Sequence, residues 1–405
     1  MFSLKKNKKK IIFMDYASGT PIDKKVLKKM TPYFSEQFFN AGSIYQEGFD
    51  VRDILQNARI KISKFLCVRP QEIIFTDGGT EANNLVLRGL VSRWKKDNKG
   101  GIPHIITSEI EHASILETCK DLESKNLAEI TYISVDGQGS LNLKELKESF
   151  KDNTILVSIS YVNGEIGVIQ DIRTIAKTIR HYRKHHKTHL PYFHTDAVQA
   201  VNYLDINVQK LGVDFMTING SKIYGPKKIA ALYKKTNIKI DSIITGGSQE
   251  FGLRSGTENI PYIVGFSEAI LLTVGMRELE FERLQVLQNF FQELLVKKMT
   301  INFVINGMHS ERIPNIINIS IPDLSSEEIV LRLDAVGVKT SVKSACKSGE
   351  EGDSHVIRAL RDTNTQSIRF SFGRDTTKKD VEYVVQQLVF ISDKMQQVFT
   401  TYVKK

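Results

Sequence analysis

An α/β fold with a mainly parallel central sheet, helices on both of its faces and a smaller α+β C-terminal domain is what this sequence predicts. Three observations carry the expectation. Short β-branched runs alternate with helical patterns as far as about Pro261, and strands alternating with helices imply a parallel sheet. Beyond that point the texture changes to one long helical stretch followed by strands with a helix between them. The chain, at 405 residues with 41% hydrophobic content, also exceeds the size at which a single core stops growing.

Taken in order, the strand candidates are residues 72–76, 104–107, 129–133, 155–159, 191–195 and 214–218. Helical patterns lie between them, for example over 114–125 and 172–183. The segment 264–298 reads as a long helix, 315–321 and 367–372 as strands, and 326–336 as the helix separating them. The expected organisation is an N-terminal segment, 1–23, packing with the small domain. A large domain, 24–263, follows, and then a small domain, 264–405. Residues 343–353 contain Lys343, Lys347 and several Gly and Ser positions without an apolar anchor, so a mobile loop is expected there. There is no internal repeat and no low-complexity linker.

Composition narrows the function classes. Charged residues at 25% and aromatics at 9% are ordinary for a globular protein. No run approaches the roughly 18 to 20 apolar residues that span a bilayer, so no membrane role is expected. The lysine-rich start, Met1 to Lys10, lacks the apolar core of a secretory leader. Three widely separated cysteines, Cys67, Cys119 and Cys346, argue for a reducing compartment and against a disulfide framework or a zinc site, so a cytoplasmic location and no metal are expected. The net charge of +10 is scattered, with clusters at the N-terminus and at Arg180 to Lys187. That pattern suits solvated helix faces and a weak attraction for an acidic partner rather than sequence-specific nucleic-acid binding.

In parallel sheets ligands bind beyond the carboxyl ends of strands, so the residues following each strand matter most. After Thr76 comes Asp77-Gly78-Gly79-Thr80-Glu81 and then a helix. Paired glycines and a helix N-terminus suit an anion, and equally an ordinary tight turn. The glycine spacings of dinucleotide and nucleoside-triphosphate loops are absent. After Thr195 comes Asp196, a carboxylate that needs a cation if buried, or else a helix cap. After Ile218 come Asn219-Gly220-Ser221-Lys222, and a lysine among small residues at a strand end is suited to forming a Schiff base. After Thr107 come Glu111 and His112, whose imidazole suits stacking or proton transfer as well as a structural role. Cys67 and Cys119 read as small buried apolar residues, whereas Cys346 has polar surroundings and lysines that favour a reactive thiolate.

The ordered motifs then resemble a known family. Thr76-x-Gly78-Gly79-Thr80-Glu81, Glu111-His112, Asn163-Gly164-Glu165-Ile166-Gly167, His194-Thr195-Asp196-Ala197-x-Gln199 and Lys222-Ile223-Tyr224-Gly225-Pro226-Lys227 resemble the class V aminotransferase superfamily of fold type I. Gly246-Gly247-Ser248-Gln249-Glu250, Arg254 to Asn259, Ser344-Ala345-Cys346 and Ser367 to Gly373 narrow the resemblance to cysteine desulfurases with a long cysteine loop. It runs from Met14 to about Asp380.

The resemblance implies pyridoxal 5′-phosphate (PLP) as cofactor, L-cysteine as substrate and a homodimer. It also implies a sulfur-acceptor protein, either an iron–sulfur scaffold or a tRNA-thiolation enzyme. Lys222 would carry the cofactor and move the Cα proton, Asp196 would pair with the ring nitrogen, and Gln199 would reach the ring hydroxyl. Gly79, Thr80, Asn219 and Ser221 would hold the phosphate, helped by Thr257 of a second subunit. His112 would stack on the ring, and Arg369, with Asn163, would bind substrate. Cys346 would attack the substrate sulfur and leave as a persulfide, with alanine as the other product. Other class V lyases or aminotransferases, and a non-catalytic scaffold, are the competing readings. The chain departs from the family pattern at Ser221, Asn219, Gly164 and Tyr45, of which Gly164 removes a hydrogen bond near the ring hydroxyl.

Overall fold

The computed structural model of the protein describes residues 10–98, 101–342, 354–361 and 366–403. The chain opens with β1 (Ile12–Phe13), α1 (Lys24–Met30), α2 (Pro32–Ser35) and α3 (Gln46–Leu66). The alternating part follows: β2 (Ile73–Thr76), α4 (Gly79–Asp97), β3 (His104–Ser108), α5 (Ala113–Ser124), β4 (Glu129–Ile133) and α6 (Leu143–Glu148). It continues with β5 (Thr154–Ser158), α7 (Ile172–His185), β6 (Tyr192–Asp196), α8 (Val208–Leu211), β7 (Phe215–Asn219) and β8 (Ala230–Lys234). After α9 (Ile260–Lys298) come β9 (Val304–Ile305), β10 (Ile316–Ser320), α10 (Ser326–Ala335) and β11 (Val338–Lys339). The chain closes with α11 (His355–Arg361), β12 (Ile368–Ser371) and α12 (Lys378–Val403).

Seven strands form the central sheet in the order β2-β8-β7-β6-β5-β3-β4. β3, β4, β5, β6 and β7 run parallel, and β3 and β5 are buried along their whole length. Burial on both faces is why these strands read as continuous apolar runs instead of alternating ones. The sequence reading missed β8, which pairs antiparallel with both β2 and β7 and completes the otherwise parallel sheet. Local signals start the helices: Asp171 caps α7 by accepting from Thr174 N at 3.0 Å, and Ser325 caps α10 by accepting from Glu328 N.

A second core lies around β9, β10 and β12, covered by α10 and α12. The expected 263/264 boundary falls inside α9. Ile260 to Ile270 pack into the core beneath the central sheet, and Leu284 to Leu295 into the second core. This double duty also corrects the expectation about apolar runs. α9 contains an 18-residue window apolar and long enough to cross a bilayer, yet half of that window is buried in protein, against partners that include α1, α3 and α12. A helix with a core on two sides is apolar nearly all round. The N-terminal segment is shared likewise: β1 pairs with β11 and Met14 enters the second core, while Ala17 enters the first.

Candidate active site

The anion seat forms at the N-terminus of α4. A side-chain carbon on Gly79 would lie 3.3 Å from Val198 Cγ2 and 3.6 Å from Asn219 Nδ2, a tight fit that glycine avoids, which leaves the backbone here open to a ligand. Thr80 is exposed beside it. Ser221 Oγ donates to Asn219 Oδ1 at 3.3 Å, which places two of the four residues that depart from the family pattern together beside this seat. Free backbone N–H groups at a helix start with small polar side chains around them suit a phosphate.

Asp196 ends β6 and is 9% exposed. Its carboxylate accepts from Asn83 Nδ2 at 2.8 Å and from Val198 N at 3.0 Å. Both donors are neutral, so this nearly buried anion suits a cationic ring nitrogen. Asn83, on α4, is a residue the sequence reading missed. Its Nδ2 also donates to Ser114 Oγ at 2.9 Å, and Ser114 Oγ lies 2.8 Å from His112 Nδ1. His112 is the N-cap of α5 and accepts there from Ser114 N at 3.1 Å. Nothing in the motif spacing linked Asp196 to His112, because the link runs through two residues on different helices.

Lys222 follows β7 and sends its Nζ to the carbonyl of Ser18 at 2.6 Å. Arg369, on β12, is 2% exposed. Its fork donates to Gly164 O at 2.9 Å, Asp15 Oδ1 at 2.8 Å and Ser18 Oγ at 2.6 Å. Gln199 Nε2 donates to Ala17 O at 3.0 Å. The stretch Asp15–Ser18 thus touches three candidate site residues. The sequence reading used it only to mark where the resemblance begins. Gly164 contributes more than a missing side chain: its carbonyl helps hold Arg369, and a side-chain carbon there would come within 3.3 Å of Gln199 Nε2. Asn163 is spent on shaping the adjoining turn. Its Oδ1 accepts from Glu165 N and Ile166 N, and its Nδ2 donates to Ile110 O.

Cys346 and the expected loop 343–353 lie outside the described residues. What flanks them is described. Ser341 bridges Arg369 in both backbone directions, at 2.7 and 3.3 Å. Ser354 Oγ donates to the buried Glu165 at 2.5 Å, and His355 Nε2 lies 3.0 Å from Glu111 O. Glu111 is itself buried and takes hydrogen bonds from Ser108 Oγ, Ser160 N and Ser160 Oγ. Burial raises its pKa to about 7 against the lowering effect of those bonds. Thr257 is exposed on the segment after β8. That segment is fixed to the anion seat by Arg254, which pairs with Asp77 at 2.7 Å and Glu81 at 3.2 Å.

Two histidines and two cysteines are set apart from this chemistry. His194, between Ser158 and Thr217 within the sheet, is pushed down to about 3 by burial, and His104 to about 4. Both are neutral structural groups. Cys119 is buried as expected, but Cys67 is exposed, because it ends α3 in a left-handed conformation with φ of 57°.

The arrangement fits a flat, phosphate-bearing ring with a cationic nitrogen: a glycine-lined seat at a helix start, a buried carboxylate without a cation among the described residues, and a lysine close by. Comparison with known proteins agrees. Residues 12–384 match the family described as Aminotransferase class-V. The chain is 40% identical to the cysteine desulfurase IscS of Dictyoglomus turgidum over 390 residues, covering 96% of each. It is 37% identical to the cysteine desulfurase IscS of Methanosarcina thermophila, covering 95% of this chain and 93% of that one. A solved NifS-like protein from Rickettsia africae superposes with a TM-score of 0.83 at 29% identity, covering 95% of this chain and all of that one. With fold and near full-length similarity in agreement, the chain belongs to the class V aminotransferases and, among them, to the cysteine desulfurases.

Proposed function

We propose that this cysteine desulfurase binds PLP on Lys222, takes sulfur from L-cysteine onto Cys346 as a persulfide, and passes it to an acceptor protein. One observation carries the reading: the segment containing Cys346 leaves the described structure beside Arg369 and re-enters it beside Glu111 and Glu165. Both ends therefore flank the residues that would hold substrate and cofactor.

When bound, PLP withdraws electrons from the substrate Cα, which makes the proton there removable and the Cβ–S bond breakable. The residues divide the remaining work. Asp196 would hold the ring nitrogen, and Gly79, Thr80, Asn219 and Ser221 the phosphate. Arg369 binds the substrate carboxylate, its fork kept in place by Asp15, Ser18 and the Gly164 carbonyl. Lys222 Nζ accepts the Cα proton. Cys346 attacks the substrate sulfur as a thiolate, and an S–S bond forms as the Cβ–S bond breaks. The electron pair left on carbon takes a proton, which gives alanine, and Cys346 keeps the persulfide.

A homodimer is part of this proposal. Exposed Thr257 suits a contact with a neighbouring seat, and the chain exposes Phe34, Phe38, Ile44, Tyr45 and Phe49 within one short stretch. The acceptor is either an iron–sulfur scaffold or a tRNA-thiolation protein.

The test is turnover of L-cysteine. Wild type should release alanine and, without a reductant, carry one added sulfur on the Cys346 peptide by mass spectrometry. Cys346→Ala should bind PLP and release little alanine, and Lys222→Ala should lose the visible absorbance of the lysine-bound cofactor. Alanine formed by Cys346→Ala at the normal rate would instead favour a lyase without a cysteine nucleophile.

A further inference from the structure

The hydrogen bonds between Asp196 and His112 form one continuous chain, and donor chemistry fixes its direction. A carboxylate only accepts, so the Asn83 atom 2.8 Å from Asp196 Oδ2 is the amide nitrogen. That nitrogen gives its second proton to Ser114 Oγ at 2.9 Å. Ser114 Oγ still has its own proton to donate, and His112 Nδ1 lies 2.8 Å away. A backbone N–H only donates, and Ser114 N reaches the same Nδ1 at 3.1 Å. Two donors converge on one ring nitrogen, so that nitrogen presents its lone pair.

We propose that Asn83 and Ser114 are positioning residues that fix His112 as the neutral tautomer with its proton on Nε2 and tie its ring to the Asp196 carboxylate. The proposal deepens the functional reading above and rests on it for the assignment of His112 to the cofactor ring. Histidine without such partners divides its proton between two nitrogens and so offers the reacting groups an acid or a base at random. In this tautomer Nε2 carries the ring proton and can only donate it, while the Nδ1 lone pair is engaged by Ser114. The remaining Asn83 atom, Oδ1, is fully buried and has no hydrogen-bond partner among the described residues. Leaving it so is costly, and turning the amide over to satisfy it would break both ends of the chain. The orientation is therefore set by Asp196, which can only accept, and Ser114, left to accept from the same nitrogen, keeps its own proton for His112.

The experiment is nitrogen NMR on PLP-loaded protein carrying ¹⁵N-labelled histidine, with His112→Gln used to assign the resonance. At neutral pH the wild-type ring should show a bare Nδ1 and a protonated Nε2. Ser114→Ala keeps the backbone donor but loses the hydroxyl, so a second tautomer population should appear. Its kcat on L-cysteine should fall about tenfold with KM within about twofold, the loss expected for one buried hydrogen bond. Ser114→Thr should restore both. A wild-type ring protonated on Nδ1 overturns the proposal without any variant, as does an unchanged ring in Ser114→Ala. Because the tautomer is read from the ring itself, it can fail while cysteine turnover succeeds. The reverse outcome, a fixed tautomer without alanine formation, would instead count against the functional reading.

Discussion

Arg369 donates to three oxygens from two other parts of the chain, and Ser18 is the one among them whose side chain can be trimmed without removing a charge. Ser18 Oγ also donates to Asp15 Oδ1 at 2.8 Å, so hydroxyl, carboxylate and guanidinium form a closed triangle of hydrogen bonds. Ser18→Ala should loosen the fork by removing one of its three acceptors and should raise KM for L-cysteine roughly three- to tenfold, with kcat little changed. That corresponds to about 1 kcal/mol, the net size of one ordinary hydrogen bond, because the fork keeps its two other acceptors. Steady-state kinetics with L-cysteine checks it, and an unaltered KM would show that Asp15 and Gly164 hold the fork alone. Motif spacing singled out Lys222, Asp196 and His112, which respectively follow β7, end β6 and cap α5. It did not reveal Asn83, Asp15 or Ser18, because each acts across the fold through a single polar contact that leaves no periodic trace.

At the scale of elements, the segment after β8 owes its position to one buried ion pair. Arg59 of α3 meets Glu250 through two bonds of 2.7 and 2.8 Å, and both side chains are 2% exposed. Glu250 Oε2 also accepts from Phe75 N, and the Arg59 guanidinium lies over the rings of Phe75 and Phe251. Glu250 and Phe251 adopt left-handed backbone with φ of 46° and 59°, a conformation the pair holds in place. Glu250→Gln should leave a buried guanidinium without its counter-charge and cost on the order of 3 to 5 kcal/mol. Urea unfolding monitored by far-UV circular dichroism measures this. The double change Arg59→Met with Glu250→Leu should cost clearly less, since no lone charge remains. In the sequence Arg59 looks like one more cation on a helix, and only its packing against β2 shows otherwise.

For the whole molecule, the proposed dimer makes a physical demand. The aromatic side chains from Phe34 to Phe49 are held in place, with Phe38 and Phe39 stacked at 4.7 Å and Tyr45 set edge-on to Phe39, yet they face solvent in the single chain. Sedimentation equilibrium should give twice the mass of one chain. Phe38→Glu, which places a charge at a residue 67% exposed in the single chain, should shift the protein toward monomer without unfolding it. A wild-type monomer that binds PLP and turns over cysteine would refute the shared site.

By itself the sequence determined what repeats or sits beside a repeat. Alternating apolar runs announced the parallel sheet, since burial on both faces demands continuous β-branched strands. The motifs at the strand ends pointed to a candidate lysine and its polar neighbours, because ligands collect there in such sheets. Tertiary structure alone decided the rest. The antiparallel β8 is defined by its two neighbours and not by its own five residues. α9 belongs to two cores because different turns of one helix meet different sheets, so no composition change marks a boundary within it. The bonds that join Asp196 to His112, and Arg369 to Asp15 and Ser18, connect residues up to 354 positions apart. A hydrogen bond is decided by distances of a few ångströms, and chain order does not encode them until the fold has formed.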